Sequence, residues 1–198
     1  MRTQSARAAT TPLALLLATL VLPWCTGCPQ MAITTAATEA ASSLADDRSM
    51  EQQAADLDTK ASIDKAFLGA SASLAADVDV DVYLGHVMLT GVVPTWELRR
   101  QAVELARGVA GDAIYDDLEV AAGDGIGDRA SDFAVNKELG VNLLAAEGIA
   151  SQSLQHRVVN GVAFIMGEAH DAGQVETARA VALQTPGVSR VVTHIFIR

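Results

Sequence analysis

The chain has 198 residues and a formal net charge of −10; half of it is apolar, 4% is aromatic and 19% is charged. That length suits one or two small domains with modest cores. The spread of acidic side chains disfavours nucleic acid, whose phosphates they would repel, and loose electrostatic adsorption to an anionic membrane.

The first residues read as a targeting segment. Arg2 and Arg7 form a positive start, and Leu13 to Leu22, "LALLLATLVL", is an apolar run too short to span a bilayer. Thr26-Gly27-Cys28 resembles the lipobox of bacterial lipoproteins, in which a small residue precedes a cysteine that is lipidated and becomes the N-terminus; Cys25 stands where Leu is usual. Residues 1–27 are expected to be signal peptide, and Cys28 the lipidated residue. Removal of Arg2 and Arg7 takes the formal charge from −10 to −12. Cys25 and Cys28 also spell C-x-x-C, but a redox pair needs a strand-to-helix setting that tunes its thiolates, and cleavage before Cys28 discards one of them. Pro29, rather than Asp, follows the cysteine, as in lipoproteins sorted to the outer membrane.

Residues 28–56, rich in Ala, Thr and Ser, read as a tether. The first folded copy is expected over 57–120. Ile63 and Phe67 stand at i, i+4 on a helix, and Val78, Val80 and Val82 alternate with Asp79, Asp81 and Tyr83 on a half-buried strand. "LGH" turns the chain, and Val87, Leu89 and Val92 return. Pro94-Thr95 opens a second helix with Leu98, Ala102, Leu105 and Val109 on one stripe. Gly111 ends it, and residues 113–120 form the last strand. A Gly/Asp linker, 121–128, follows. The second copy, 129–198, opens on a helix over 129–146. Asn160-Gly161 predicts a type I′ hairpin. Val175, Ala178, Val181 and Ala182 mark another helix, stopped by Pro186-Gly187, and "VSRVVTHIFI" is a terminal strand.

The two copies are related by counting. Gly85, Gly91, Ala102, Ala106 and Gly111 recur 76 residues later as Gly161, Gly167, Ala178, Ala182 and Gly187; after that the first copy is one residue shorter, so Ile114 matches Val191 and Leu118 matches Ile195. A repeat of this kind makes the fold a tandem.

Several chemistries are set aside. "DVDVDV" would open a calcium loop only with Gly and Glu at positions held by Val82 and Met88, so its aspartates are expected on a solvent face. His86, His156, His170 and His194 show no i, i+4 pair for zinc and are expected in turns or on the surface. No G-x-S-x-G elbow is present, and no metal, cofactor or small-molecule substrate is expected. Trp96 is read as a packing ring.

"GHVMLTGVV…RRQAVELARGVAGDAIYDDLEV" and "GVAFIMGEA…VETARAVALQTPGVSRVVTHIFI" resemble BON domains. The shared pattern is V-x-L-x-G, a helix with spaced alanines, and a Gly before the last strand. A lipobox before two such domains resembles the dual-BON outer-membrane lipoproteins. The resemblance implies an α+β fold of two αββαβ domains, each a mixed three-stranded sheet packed by two helices. It implies no catalysis. It implies a lipid-anchored protein facing the periplasm that supports outer-membrane integrity by binding anionic phospholipid through the first helix of the second domain.

That helix has an unusual outer face. Val135, Leu139 and Leu143 make a core stripe at i, i+4, i+8, while Arg129, Phe133, Lys137, Gly140, Val141 and Leu144 lie opposite, where a surface helix is ordinarily polar. An aromatic, aliphatics and two cations suit a lipid headgroup boundary. In those lipoproteins an exposed aromatic starts this helix. Alignment on the core stripe places it at Ala134 and alignment on the lysine at Phe133, and Phe133 is the aromatic available. Two other occupants stay open: the stripe packs on the first copy or the linker, or it docks an envelope protease, chaperone or assembly machine.

Overall fold

The computed structural model describes residues 46, 48–121 and 129–198. The expected signal peptide, Cys28, most of the tether and linker residues 122–128 lie outside them. The element order is α1 (Met50–Ala70), α2 (Ala72–Asp77), β1 (Val78–Tyr83), β2 (His86–Val93), α3 (Trp96–Ala110), β3 (Ile114–Val120), then α4 (Arg129–Ala145), a 3₁₀ turn (Ser151–Ser153), β4 (Leu154–Val159), β5 (Val162–Ala169), α5 (Ala172–Gln184) and β6 (Arg190–Ile197). α1 starts inside the stretch read as tether. A capping box there satisfies the free helix N–H groups: the Ser49 hydroxyl accepts from Gln52 N–H, and the Gln52 side chain accepts from Ser49 N–H.

Each copy builds a mixed sheet, antiparallel on one side of its middle strand and parallel on the other, in the orders β1-β2-β3 and β4-β5-β6. The register repeats with the sequence. Val87 pairs with Ile114 and Gly91 with Leu118; their counterparts Ala163 and Gly167 pair with Val191 and Ile195. One sheet face carries the helices. Ile63, Phe67, Val80, Leu89, Ala102 and Ala106 meet in the first core, and Leu139, Leu143, Ile165, Ala178 and Ala182 in the second. The alanines keep the second helix of each copy close to its sheet. Val109, expected on the buried stripe, is exposed, and Ala106, one turn earlier, takes the buried place. Gly91 and Gly167 are at φ +128° and +150°, and a Cβ at either would overlap a backbone carbonyl, of Asp77 or Ser153.

The hairpins share a device outside the counted repeat. The Asp56 carboxylate of α1 accepts the N–H groups of Leu84 and Gly85 at 2.8 Å each. Asp132 of α4, 76 residues on, accepts those of Asn160 and Gly161 at 2.8 and 3.3 Å. Leu84 and Asn160 both have φ of +49°, and the following glycines are also left-handed. The carboxylate therefore pins a turn that needs positive φ twice. Arg48 donates to Asp56 at 2.7 Å and lies 4.4 Å over the Tyr83 ring, which ties the chain before α1 to the first domain.

The second faces of the two sheets pack on one another. Tyr83, Met88, Phe164 and Met166 form a buried cluster there, with Tyr115 and Val192 against it. This corrects the solvent-face expectation for the aspartates. Asp81 is only 12% exposed at its side chain and takes Arg157 of the second domain at 3.0 Å, while Asp79 remains exposed. Three of the four histidines are likewise corrected, while His170 is exposed in a bend, as expected. His194 donates to Asp117 at 2.6 Å and stacks on Tyr115 with 4.0 Å between centroids; His86 lies 4.4 Å from the Phe196 ring; His156 is half-buried between α4 and β4. Trp96 does not pack: it is 66% exposed, with Arg99 5.4 Å over its ring.

Candidate functional site

α4 lies on the second core through Leu139 and Leu143, both buried, and Val135 beside them. At 100° per residue this anchors one arc and turns another outward. Phe133, Val141 and Leu144 are 63%, 65% and 63% exposed. The Lys137 ammonium sits 5.4 Å from the Phe133 ring centre, a cation–π contact that holds a charge over an apolar face.

The six residues expected to share a surface divide into two groups. Phe133, Lys137, Val141 and Leu144 form one exposed stripe. Arg129 turns to the first domain, donating to the Ala76 carbonyl at 2.8 Å and pairing with Asp77 at 2.5 Å. Gly140 faces inward, and a Cβ there would come within 2.8 Å of His156 Nε2. The absent side chain thus lets α4 lie on the His156 ring. His156 Nδ1 donates to Asn136 Oδ1 at 3.1 Å. Burial pushes this imidazole below its ordinary value, and Arg157 adds to the effect.

A cleft of about 250 Å³ opens where α4 meets the first domain, lined by Phe133, Arg129, Asn136, Asp79 and Arg157 among others. Burial opposes the charge on Arg157, but Asp81 and Asp79 outweigh it and hold the guanidinium charged. Among the described residues no group of three or more His, Cys, Asp or Glu is placed to hold a metal, and no helix is long and apolar enough to cross a membrane.

The equivalent helix of the first copy is a built-in comparison. Leu57 and Leu68 of α1, the counterparts of Phe133 and Leu144, are also exposed. Between them the counterparts of Lys137, Gly140 and Val141 are Ala61, Asp64 and Lys65. At the four stripe positions α1 therefore reads Leu57, Ala61, Lys65 and Leu68, and an exposed carboxylate, Asp64, stands beside them where α4 has Gly140.

These features define a class: a tandem of two α+β domains with their sheets packed together and their helices outward. The BON domain model matches residues 55–122 and 131–198, and the chain belongs to the BON domain family. Proteins of this family are in general non-catalytic. The chain is 29% identical over 121 residues to the 21 kDa hemolysin of Actinobacillus pleuropneumoniae, covering 61% of this chain and 62% of that one. It therefore spans less than two thirds of that relative's length. It is 24% identical over 129 residues to an uncharacterized protein in the gshII 5′ region of Anaplasma centrale, covering 62% of this chain and 83% of that one. Among solved structures it is similar to CdsD, a structural protein of the type III secretion system of Chlamydia trachomatis, at a TM-score of 0.30 and 13% identity, over 72% of this chain and 63% of that one.

Proposed function

We propose that this chain is a lipid-anchored envelope protein, held at the outer membrane through Cys28 and facing the periplasm, that binds anionic phospholipid through α4 and supports outer-membrane integrity. The observation that carries the reading is the exposed stripe of Phe133, Val141 and Leu144 around Lys137. Such a stripe leaves apolar area in water that insertion at a headgroup boundary would remove, and one ammonium remains to meet a phosphate. BON domains occur in envelope and phospholipid-binding proteins, which supports the same reading. Residues 46–198, which lack the expected anchor, should co-sediment with phosphatidylglycerol vesicles in preference to neutral ones. Absence of binding to both would end the lipid reading.

A second reading, a docking surface for an envelope protein partner, is favoured by the commitment of Arg129 to Asp77. One cation is a weak pull on anionic headgroups, and an apolar helix face also fits a partner's groove. Failure of vesicle binding together with an intact fold is the outcome that would favour it.

A further inference from the structure

Several contacts between the two domains join equivalent positions of the repeat. Asp81 and Arg157 are equivalent positions of the repeat, 76 apart, and they meet at 3.0 Å. Asp117 and His194 are equivalent across the one-residue step, 77 apart, and they meet at 2.6 Å. Met88 and Phe164, also equivalent, share the buried cluster between the sheets, as do Tyr115 and Val192. Residues of equivalent position meet one another only near a two-fold axis, so the domains are related by a pseudo-two-fold, as subunits of a dimer are.

At such positions a pair of identical domains would place each residue against itself. Two first domains would oppose Asp81 to Asp81 and Asp117 to Asp117. Two second domains would oppose Arg157 to Arg157 and His194 to His194. The chain instead places acid against base at both. We propose that the outer sheet face of the first domain recognises one partner only, the outer sheet face of a second domain, and that the unlike residues at the self-facing positions exclude like-with-like pairing. The recognition does not depend on which chain supplies the second domain. Two chains that open can therefore close again by exchanging domains reciprocally, and neither face accepts its own kind.

The test uses Asp81→Arg and Arg157→Asp, made separately in the full-length chain. Each variant alone carries like charges at that contact, which should open the interface and speed proteolytic cleavage between the domains by at least about tenfold. An equal mixture restores both pairs: the side chain introduced by Asp81→Arg in one chain meets the one introduced by Arg157→Asp in the other, and the unaltered Asp81 and Arg157 of the two chains also meet. Sedimentation should then show a 1:1 dimer that neither variant forms alone, and Asp81→Arg/Arg157→Asp in one chain should return to the parent's state. A mixture that sediments as the sum of its parts would overturn the proposal, as would single variants that dimerise as readily as the mixture. Should the charge reversals not fold, Asp81→Asn, Arg157→Gln and their combination serve in thermal unfolding. Non-additive shifts support the pairing and strictly additive ones overturn it.

Discussion

Replacing Phe133 with alanine separates membrane contact from stability. A phenylalanine side chain offers roughly 150–250 Å² to burial. With 63% of the residue in water, on the order of 100–150 Å² can still leave water on insertion. At about 25 cal/mol per Å² that amounts to roughly 2.5–4 kcal/mol. Partial insertion, and the alanine that remains, reduce the loss to about 1.5–2 kcal/mol, or roughly a 10- to 30-fold weaker partition into vesicles. Stability should change by under about 0.5 kcal/mol, because an exposed ring gives up little on folding. The assay is co-sedimentation with phosphatidylglycerol vesicles over a lipid titration, beside thermal unfolding of the same samples. Leu57→Ala at the equivalent place on α1 is the control, and it should leave binding unchanged. Undiminished binding by Phe133→Ala, or an equal loss in Leu57→Ala, would refute the assignment to α4.

Three further outcomes follow from the packing. Asp56→Ala and Asp132→Ala each strand two hairpin N–H groups, and each should destabilise by about 2–3 kcal/mol in denaturant unfolding; the Asp56 change should be the larger because Arg48 also loses one of its two carboxylate partners. Gly167→Ala drives a methyl group into the Ser153 carbonyl at a left-handed φ, so loss of the folded second domain is expected by circular dichroism. The His156 imidazole, held low by burial, favours the neutral form in the fold. Its contribution should be complete above the ordinary value of 6.5 and should fall as pH drops through 6.5 toward the lower folded value. His156→Gln should flatten that part of the stability–pH profile, and an unchanged profile would refute the assignment.

Much of the fold is legible in the sequence because short-range chemistry dictates it. Alternating valines make β1, Asn160-Gly161 allows the left-handed turn, and Gly91 and Gly167, 76 apart, mark where backbones approach too closely for a side chain. The α4 core stripe is legible too, since Leu139 and Leu143 recur at the helical period. Asp56 and Asp132 obey the same count, which reaches them only when it is carried upstream into the helices. Helical periodicity, however, assigns only an angle around an axis. It groups Arg129 and Gly140 with Phe133, whereas the neighbours decide that Arg129 reaches Asp77 and Gly140 meets His156.

A repeat of two small α+β domains follows from the order of residues alone, because periods of two and 3.6 and the places that demand glycine are local properties of the chain. What the polar face of each sheet is for emerges only when the domains pack. Asp81 and His194 read as surface residues, and Asp117 and Arg157 carry no signal at all, because alternation separates two faces without saying what covers the second. The other domain covers it, and burial beside an opposite partner turns a surface charge into part of an interface.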